Sequence, residues 1–466
     1  MMTDFFYPVR IVEHKNVVNT QNILKKKSLQ IGISEKFLTN FEKNSHIILD
    51  FGKEIGGGLR ILTYISQKAK VRIRFGESLT ECCADLGGTK NATNDHAIRD
   101  FTVELPDFSD LTFGDTGYRF VRLDFDGAVS IKAVTAASHV LRKKVLYRYR
   151  GEDAKIAAIY ETAKRTADLC VRNGHVWDGV KRDRLVWIGD LHPEMLALTT
   201  LYGRMAQIER SLDFIRDQTP LPGWMNNIPM YSMWWIIILG DYFEKTGGKA
   251  FVRRQLPYLE GLIGQMLGCV KENGETDYPG YFVDWPTKDT PDAVHGSRAI
   301  NIMAAKKAIF LLRFMERDTK QAEELLQRLV QIEITSQSKQ VLGLKHFAVG
   351  LTEADQKALT AGGAKGLSTF MSYYILKAVA SFDKKTAIAM MKEYYGAMLD
   401  KGATTFWEDF SLDWAVNSCR IDEFPKEGQR DVHGDFGAYC YVGFRHSLCH
   451  GWSAGVVQFI KEECEE

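Results

Sequence analysis

The residues most able to carry out chemistry are concentrated in one segment, residues 177–190, with the sequence WDGVKRDRLVWIGD. The segment contains three carboxylates, three basic residues and two tryptophans. Carboxylates can act as general acid and general base, and an indole face can stack on the apolar face of a sugar ring. This composition suits a sugar-cleaving site. The alternative is a solvated loop whose charges form surface ion pairs.

The elements on either side must position this segment. Its charges alternate too quickly for one buried strand, and its glycines and irregular polarity fit no helical stripe. Before it, Ile159, Ala163 and Ala167 recur at helical spacing, and a second helical pattern follows it. We therefore expect a long loop between two helices, a position where binding and catalysis usually occur.

Helical periodicity extends from about residue 150 to the end of the sequence. The predicted helices are 152–173, 191–216, 228–246, 249–272, 298–315, 319–335, 353–361, 366–380, 384–399 and 443–461, with weaker candidates at 405–417 and 434–441. Their number fits an (α/α)6 toroid, which we expect over residues 146–466. A superhelical repeat array is the alternative, but the sequence shows no self-similarity of fixed period.

Residues 1–145 show strand patterns instead. Residues 71–75 and 120–125 alternate apolar and charged side chains, as half-buried strands do. Further strands are predicted at 47–52, 59–65, 101–105, 129–137 and 139–150, with a break at 56–58 and a loop at 82–99. Short strands separated by Gly and Asp turns predict an antiparallel β-sandwich. The expected fold class is therefore multidomain β + α.

The composition bears on partners and location. The chain has 60 Lys and Arg against 59 Asp and Glu, a formal net charge of +1, which argues against a nucleic-acid partner. No apolar run approaches the roughly 18 residues of a membrane span, and the first residues lack a signal-peptide pattern. The eight cysteines are scattered, without metal-ligand spacing, and are expected to be free thiols. These features predict a cytoplasmic protein with no membrane partner and no metal, and leave a homo-oligomer open.

Several short motifs resemble, taken together, those of one known family. In the predicted sandwich they are LDFG at 49–52, VRIRFGE at 71–77 and GYRFV at 117–121. In the helical part, residues 178–190 match Asp-x-x-x-Arg-acid-Arg-Leu-x-Trp-x-Gly-Asp, and TTFWE at 404–408 and SLCHGWSAG at 447–455 follow. Together these motifs resemble the α-L-rhamnosidases of glycoside hydrolase family 78. The resemblance covers nearly the whole chain and implies a β-sandwich followed by an (α/α)6 catalytic barrel.

The resemblance also implies a mechanism and a set of site residues. Family 78 enzymes invert configuration with two carboxyl groups roughly 6.5–9.5 Å apart and need no cofactor. By position, Asp183 would be the general acid and Glu408 the general base. The residues expected to bind or wall the carbohydrate substrate are Asp178, Arg182, Trp187, Asp190, Trp224, Asp284, Trp285, Trp407, His450 and Trp452.

One departure from the family concerns the acid. The family acid is usually Glu, and Asp183 is one methylene shorter, a misplacement of about 1 Å that can cost on the order of 100-fold in rate. Some members read Arg-Asp-Glu-Arg at this point. If the Glu is deleted here, Asp183 matches the preceding Asp and the acid must come from elsewhere.

Three functions are therefore expected in order. The first is the removal of terminal α-L-rhamnosyl or closely related residues from oligosaccharides or glycosides. The departure at Asp183 motivates the second, a catalytically impaired carbohydrate-binding protein on the same fold. The third is a hydrolase for another sugar, such as an unsaturated glucuronyl residue, whose carboxylate could be bound by Arg182 and Arg184.

Overall fold

The computed structural model describes residues 2–88, 97–439 and 441–465. Within these ranges the chain is mixed β and α, with an antiparallel sheet in its first part and α-helices from residue 154 onward. The predicted order of strands before helices is confirmed. The described cysteines are free thiols, as predicted, and Cys440 lies outside the described residues. No described helix is both long enough and apolar enough to cross a membrane.

The strands of the first part form one sheet. They are β1 (Met2–Phe6), β2 (Arg10–Val18), β3 (Thr39–Ile65), β4 (Lys70–Gly76), β5 (Asp100–Glu104), β6 (Ser109–Phe125) and β7 (Val129–Val140). Their order is β1-β7-β3-β6-β4-β5, with β2 also paired to β3, and every pair is antiparallel. Alternate residues such as Ile47, Leu49, Val71, Ile73 and Leu123 are fully buried in one apolar core.

The long strand β3 bends the sheet back on itself. Thr39 near its start and Thr63 near its end both pair with Ile131 of β7. The predicted break at 56–58 is wrong, because the strand continues through these three glycines. A Cβ atom on Gly57 would lie 2.0 Å from the carbonyl oxygen of Ala137. Glycine therefore allows β3 and β7 to approach here, and the strand does not turn.

The strand predicted at 139–150 is also wrong beyond Val140. Residues 141–150 run to the first helix without sheet pairing, and the amide of Leu146 donates to the carbonyl oxygen of Leu201 at 2.7 Å. Val145, Tyr147 and Tyr149 pack on the helical core. The alternating pattern therefore reflects packing on helices and not on a sheet.

From residue 154 onward, the described residues form twelve α-helices and two short strands. They are α1 (Ala154–Cys170), β8 (Val171–Arg172), β9 (His175–Val176), α2 (Leu191–Tyr202), α3 (Ala206–Gln218), α4 (Pro229–Thr246), α5 (Lys249–Gly268), α6 (Pro291–Phe314), α7 (Lys320–Leu329), α8 (Lys339–Ala348), α9 (Glu353–Thr360), α10 (Ser372–Ala380), α11 (Lys384–Asp400) and α12 (Val456–Glu463). The even-numbered helices contact one another in cyclic order, with α12 touching α2. Helix α2 is buried along its whole length, whereas α7 buries one face only.

Several predicted helices differ from the observed ones. The helix predicted at 191–216 is two helices separated at Gly203, whose φ of 69° lies in the left-handed region. The helix predicted at 298–315 begins earlier, at Pro291, because proline suits the first helical position. Helix α8 was not predicted. Most of 443–461 is irregular or 3₁₀, and α12 begins only at Val456.

The two weaker helix candidates are not α-helices. Residues 405–417 contain only the 3₁₀ turn Leu412–Ala415, and the described part of 434–441 contains no helix. Both segments belong to the long connection between α11 and α12. This connection contributes several residues to the cavity described below.

Candidate active site

The segment 177–190 is the loop between α1 and α2, as predicted. It is held by the loop that precedes α12. Gly179 and His450 form an antiparallel bridge, and the amide of Gly451 donates to the carbonyl oxygen of Asp178 at 2.7 Å. The Asp178 carboxylate accepts from the amide of Leu185 at 2.8 Å, so the loop also closes on itself.

The tip of this loop has a constrained backbone. Asp183 and Arg184 have φ values of 51° and 57°, in the left-handed region that non-glycine residues rarely adopt. Such conformations persist only where the surroundings fix them. Asp115 of β6 does so here, because its Oδ2 binds Arg184 Nη2 at 2.9 Å and its carbonyl oxygen accepts from Arg184 Nη1 at 2.9 Å. The sheet thus holds the turn that presents Asp183.

The loop borders a cavity of about 410 Å³. Nine of the twelve predicted site residues line it: Asp178, Arg182, Asp183, Trp187, Asp190, Trp285, Glu408, His450 and Trp452. They come from the loops that precede α2, α6 and α12, and Asn227 and Ile228 add the loop that precedes α4. Every one of these loops leads from an odd-numbered helix to the next even-numbered helix.

The other three predicted residues lie behind the lining. Trp224 packs edge to face on Tyr278, with ring centroids 5.7 Å apart. Asp284 accepts from the amide of Trp285 at 2.8 Å and also binds the hydroxyl of Ser368, so it fixes the backbone that carries Trp285. Trp407 is fully buried. These residues support the cavity and do not face it.

Asp183 and Glu408 are joined through Arg182. Arg182 Nη1 lies 3.0 Å from Asp183 Oδ1, and Nη2 binds Glu408 Oε1. Arg182 Nε donates to the carbonyl oxygen of Arg445 at 2.9 Å, and the guanidinium lies 4.9 Å from the ring centroid of Tyr441. Because one guanidinium spans them, the two carboxylates lie within about 10 Å of each other, a range compatible with an acid–base pair.

The side chain of Glu408 is more deeply buried than that of Asp183. Its side chain is 2% exposed, whereas that of Asp183 is 25% exposed. Glu408 Oε2 accepts from the amide of Ser447 at 3.0 Å. Burial raises the pKa of Glu408, and the Arg182 charge and the Ser447 amide oppose this shift. Hydrogen bonds to the ionised form favour a carboxylate, as a general base requires.

His450 lies at the centre of the buried acids. Its Nε2 is 3.3 Å from Glu408 Oε1, 3.7 Å from Asp178 Oδ2 and 3.9 Å from Asp190 Oδ2. Burial and the Arg182 charge lower the pKa of His450 well below its usual value. A neutral ring with its proton on Nε2 can donate to one of these carboxylates.

Asp178 and Asp190 differ electrostatically from ordinary surface acids. Burial, with the charge of neighbouring carboxylates, raises the pKa of both well above its usual value. Asp190 Oδ1 accepts from the hydroxyl of Tyr231 at 3.1 Å. A protonated carboxyl can donate as well as accept a hydrogen bond. The pair therefore suits recognition of hydroxyl groups.

The sequence did not single out several lining residues. They include Tyr231, Tyr281, Phe282, Lys288, Asp289, Tyr441 and Arg445. Tyr281 and Phe282 directly precede the predicted pair Asp284 and Trp285, so that segment held a signal for them. Tyr231 had no such signal, because its position in an apolar helix resembles a core residue. The four aromatic residues among them complete an aromatic wall in which Trp285 Nε1 donates to the Tyr441 hydroxyl at 2.5 Å.

One buried cluster next to the site has side chains of metal-ligating type: Glu77, Glu81 and His433. The Lys181 ammonium lies among them, 2.7 Å from Glu81 Oε1 and 3.4 Å from Glu77 Oε2. This ammonium supplies the positive charge that the acids would otherwise require. The cluster is therefore best described as a buried ion-pair network.

Comparison with solved structures identifies the fold. The rhamnosidase from Klebsiella oxytoca, solved with rhamnose bound, matches with a TM-score of 0.75 and 18% identity, over 99% of this chain and 96% of that chain. The family GH78 rhamnosidase of Bacillus sp. GL1 matches with a TM-score of 0.73 and 18% identity, over 95% of this chain and 48% of its own. The α-L-rhamnosidase of Streptomyces avermitilis, solved with L-rhamnose, matches with a TM-score of 0.66 and 16% identity, over 89% and 42%.

The chain therefore has the fold of the GH78 α-L-rhamnosidases. It spans nearly all of the Klebsiella chain but less than half of the Bacillus and Streptomyces chains. No protein-family model matches the sequence, and no curated protein sequence matches it either.

Proposed function

We propose that this protein is an inverting glycoside hydrolase that removes terminal α-L-rhamnosyl or closely related residues. The observation that carries the proposal is the pairing of Asp183 and Glu408 on one guanidinium at the wall of an aromatic-lined cavity. The shared fold supports it, as do the rhamnose-bound structures of two proteins with that fold.

In the proposed mechanism, Asp183 protonates the glycosidic oxygen as the bond to the anomeric carbon breaks. Glu408, as a carboxylate, takes a proton from a water molecule that attacks that carbon from the opposite face. The more open position of Asp183 suits contact with a leaving group, and the buried position of Glu408 suits a fixed base. The product has inverted configuration at the anomeric carbon.

The remaining polar residues would bind the sugar. Asp178, Asp190 and His450 would bind ring hydroxyls, while Arg182 keeps the two reacting carboxyl groups in place. Trp187, Trp285 and Trp452 would wall the ring; all three line the cavity. Trp224, Asp284 and Trp407 would act through the backbone and side chains that they support.

The proposal includes the architecture. The even-numbered helices would form the inner ring of an (α/α)6 toroid over residues 146–466, and residues 1–145 would form a β-sandwich domain. The cyclic contacts of these helices support this arrangement. The cavity residues support it too, because loops leading from odd- to even-numbered helices would all lie at one mouth of such a toroid.

The uronate alternative relies on Arg182 and Arg184 as partners of the substrate carboxylate. Arg182 is paired with Asp183 and Glu408, and Arg184 is paired with Asp115 of the sheet. Arg184 is not among the described residues that line the cavity. The two arginines expected to bind a uronate carboxylate are therefore committed to other carboxylates, and the remaining cations that line the cavity, among the residues that the structure describes, are Lys288 and Arg445.

The decisive test is hydrolysis of p-nitrophenyl α-L-rhamnoside by the parent protein and by Glu408→Gln and Asp183→Asn. Glu408→Gln should lose on the order of 10²–10⁴-fold in rate, because general acid–base catalysis contributes that much. Asp183→Asn should lose less on this substrate, because nitrophenolate departs with little need of a proton. Glu427→Gln, at an exposed carboxylate outside the cavity, should keep the parent rate. Proton NMR of the first-formed sugar should show inversion. A parent protein that binds rhamnose without releasing nitrophenol would instead be a binding protein.

A further inference from the structure

We propose that Glu77, which directly follows the last residue of strand β4, is a positioning residue for Glu408. It would act through the backbone of Ser447 and Leu448 and through Lys181. The inference rests on the proposed function of Glu408 as the general base. It assigns to the N-terminal sheet a part in catalysis that goes beyond bracing the helices.

The first path runs through Ser447. Glu77 Oε1 accepts from the Ser447 hydroxyl at 3.1 Å, and Oε2 accepts from the Leu448 amide at 2.6 Å. The amide of Ser447 donates to Glu408 Oε2 at 3.0 Å, and its carbonyl oxygen accepts from the Glu408 amide at 2.9 Å. Ser447 is therefore held between the carboxylate of Glu77 on one side and Glu408, the proposed base, on the other.

The second path runs through Lys181, which is fully buried. Its ammonium is held by Glu77 and Glu81, and it donates to the carbonyl oxygen of His446 at 2.7 Å. Lys181 directly precedes Arg182, whose Nη2 binds Glu408 Oε1. Both oxygens of Glu408 are thus fixed by groups that Glu77 contacts directly or through one neighbour.

Glu77 has no exposure of its own and does not line the cavity, so it cannot contact a substrate there. Burying a carboxylate is costly unless it is paired and hydrogen-bonded. Glu77 meets this condition because Lys181, Ser447 and Leu448 face it and the Arg99 charge also acts on it. A glutamine at this position would place an amide NH₂ where one carboxylate oxygen now accepts, which reverses or breaks one of these hydrogen bonds, and it would leave Lys181 with less negative charge.

The competing explanation is that Glu77 merely joins the sheet to the helices. Asp50 provides a matched control, because it is also a buried carboxylate at this junction. It binds Arg119 Nε at 2.9 Å, and Arg119 donates to the carbonyl oxygen of Gly402 at 3.2 Å. Asp50 makes no contact with residues 444–448 among the hydrogen bonds and ion pairs of the described residues.

The test compares Glu77→Gln with Asp50→Asn in the full chain, using p-nitrophenyl α-L-rhamnoside. Glu77→Gln should lower kcat by about 10- to 100-fold with KM within about twofold, because displacing a catalytic group by about 1 Å can cost on the order of 100-fold. Asp50→Asn should lower the melting temperature but leave kcat within about twofold. Equal kcat in Glu77→Gln and the parent would overturn the inference.

A double-mutant cycle adds a readout that a purely structural role would not change. If Glu77 acts through Glu408, then Glu77→Gln should cause no further loss of kcat in the Glu408→Gln background, since residues that act as one unit are non-additive. Full additivity would show that the two residues act separately. If Glu77→Gln does not fold, Ser447→Ala replaces it, because it removes one of the Glu77 contacts and retains the amide that binds Glu408.

Ser447→Ala should lower kcat by several-fold at unchanged KM, and an unchanged kcat would count against the inference. An inactive parent protein would refute the proposed function itself. An active parent with fully active Glu77→Gln and Ser447→Ala would leave the proposed function standing and reject only the role of Glu77.

Discussion

Asp183 and Glu408 bind opposite terminal nitrogens of the same guanidinium, that of Arg182. This arrangement joins residues that are far apart in the sequence, one in the loop before α2 and one in the connection before α12. It also gives Arg182 two roles. It fixes the spacing of the two carboxyl groups, and its charge favours the ionised form of Glu408.

Replacing Arg182 should therefore change the pH dependence of the reaction. Burial raises the pKa of Glu408 and the Arg182 charge lowers it, so Arg182→Gln should raise that pKa further. As the proposed general base, Glu408 must be deprotonated, so the acidic limb of kcat/KM should move to higher pH in the variant. Arg184→Gln is the control, since Arg184 pairs with Asp115, and the position of its acidic limb should not move.

Replacing Asp183 should make the rate depend more strongly on the leaving group. An activated aryl leaving group departs with little need of a proton, whereas an alcohol or sugar needs one. Asp183→Asn should therefore lose on the order of 10²–10⁴-fold on a disaccharide and much less on a dinitrophenyl rhamnoside. Equal losses on both substrates would show that another residue, such as Asp190, supplies the proton. Rates on the two substrates would be compared under single-turnover conditions.

Local sequence signals predicted the parts of the site that lie within one motif. The charges and glycines of 178–190 predicted its loop, and the motif placed Asp178, Asp183 and Asp190 on one cavity. Motifs could not predict side-chain direction. Trp407 and Glu408 are adjacent in the sequence, but only Glu408 faces the cavity, because their side chains leave the backbone in different directions.

Local sequence patterns could not predict features that depend on contacts between distant residues. Gly57 looked like a chain break, although its role is to let β7 approach β3 from more than seventy residues away. Helix α8 was not predicted, and in the structure none of its residues is exposed. Its Lys339 and Lys345 are buried, the first bonded to the carbonyl oxygen of Gly363 at 2.6 Å and the second paired with Asp355 at 2.8 Å. Polar residues in this helix are satisfied by tertiary partners that the sequence does not reveal.

The close approach at Gly57 gives a stability prediction. A Cβ there would lie 2.0 Å from the Ala137 carbonyl oxygen, so Gly57→Ala must separate β3 from β7 or distort both. We expect a loss of roughly 3 kcal/mol or more in the free energy of unfolding, as for other severe overpacking. Gly268→Ala is the control because nothing lies within 4 Å of its Cβ position. That variant should change stability by no more than about 1 kcal/mol in urea unfolding.

The Asp284 carboxyl should make stability depend on pH. Burial raises the pKa of Asp284 to about 6 from an ordinary value of 3.8. Between these two pH values the folded chain retains a proton that the unfolded chain has released. Raising the pH through this range therefore destabilises the folded state, and the contribution is fully present only below about pH 4.

The measurement is urea unfolding of the parent and of Asp284→Asn at several pH values from 4 to 7. The stability of the parent relative to the variant should fall by about 3 kcal/mol as the pH rises across this range, since each pKa unit corresponds to about 1.36 kcal/mol. Asp383→Asn is the control, and its difference from the parent should stay nearly constant from pH 4 to 7. Asp383 caps α11, and its hydrogen bonds with Thr386 lower its pKa, so its contribution is lost only as the pH falls below about 4. A parent-minus-variant difference for Asp284 that rises with pH would mean that this carboxyl is ionised in the folded protein.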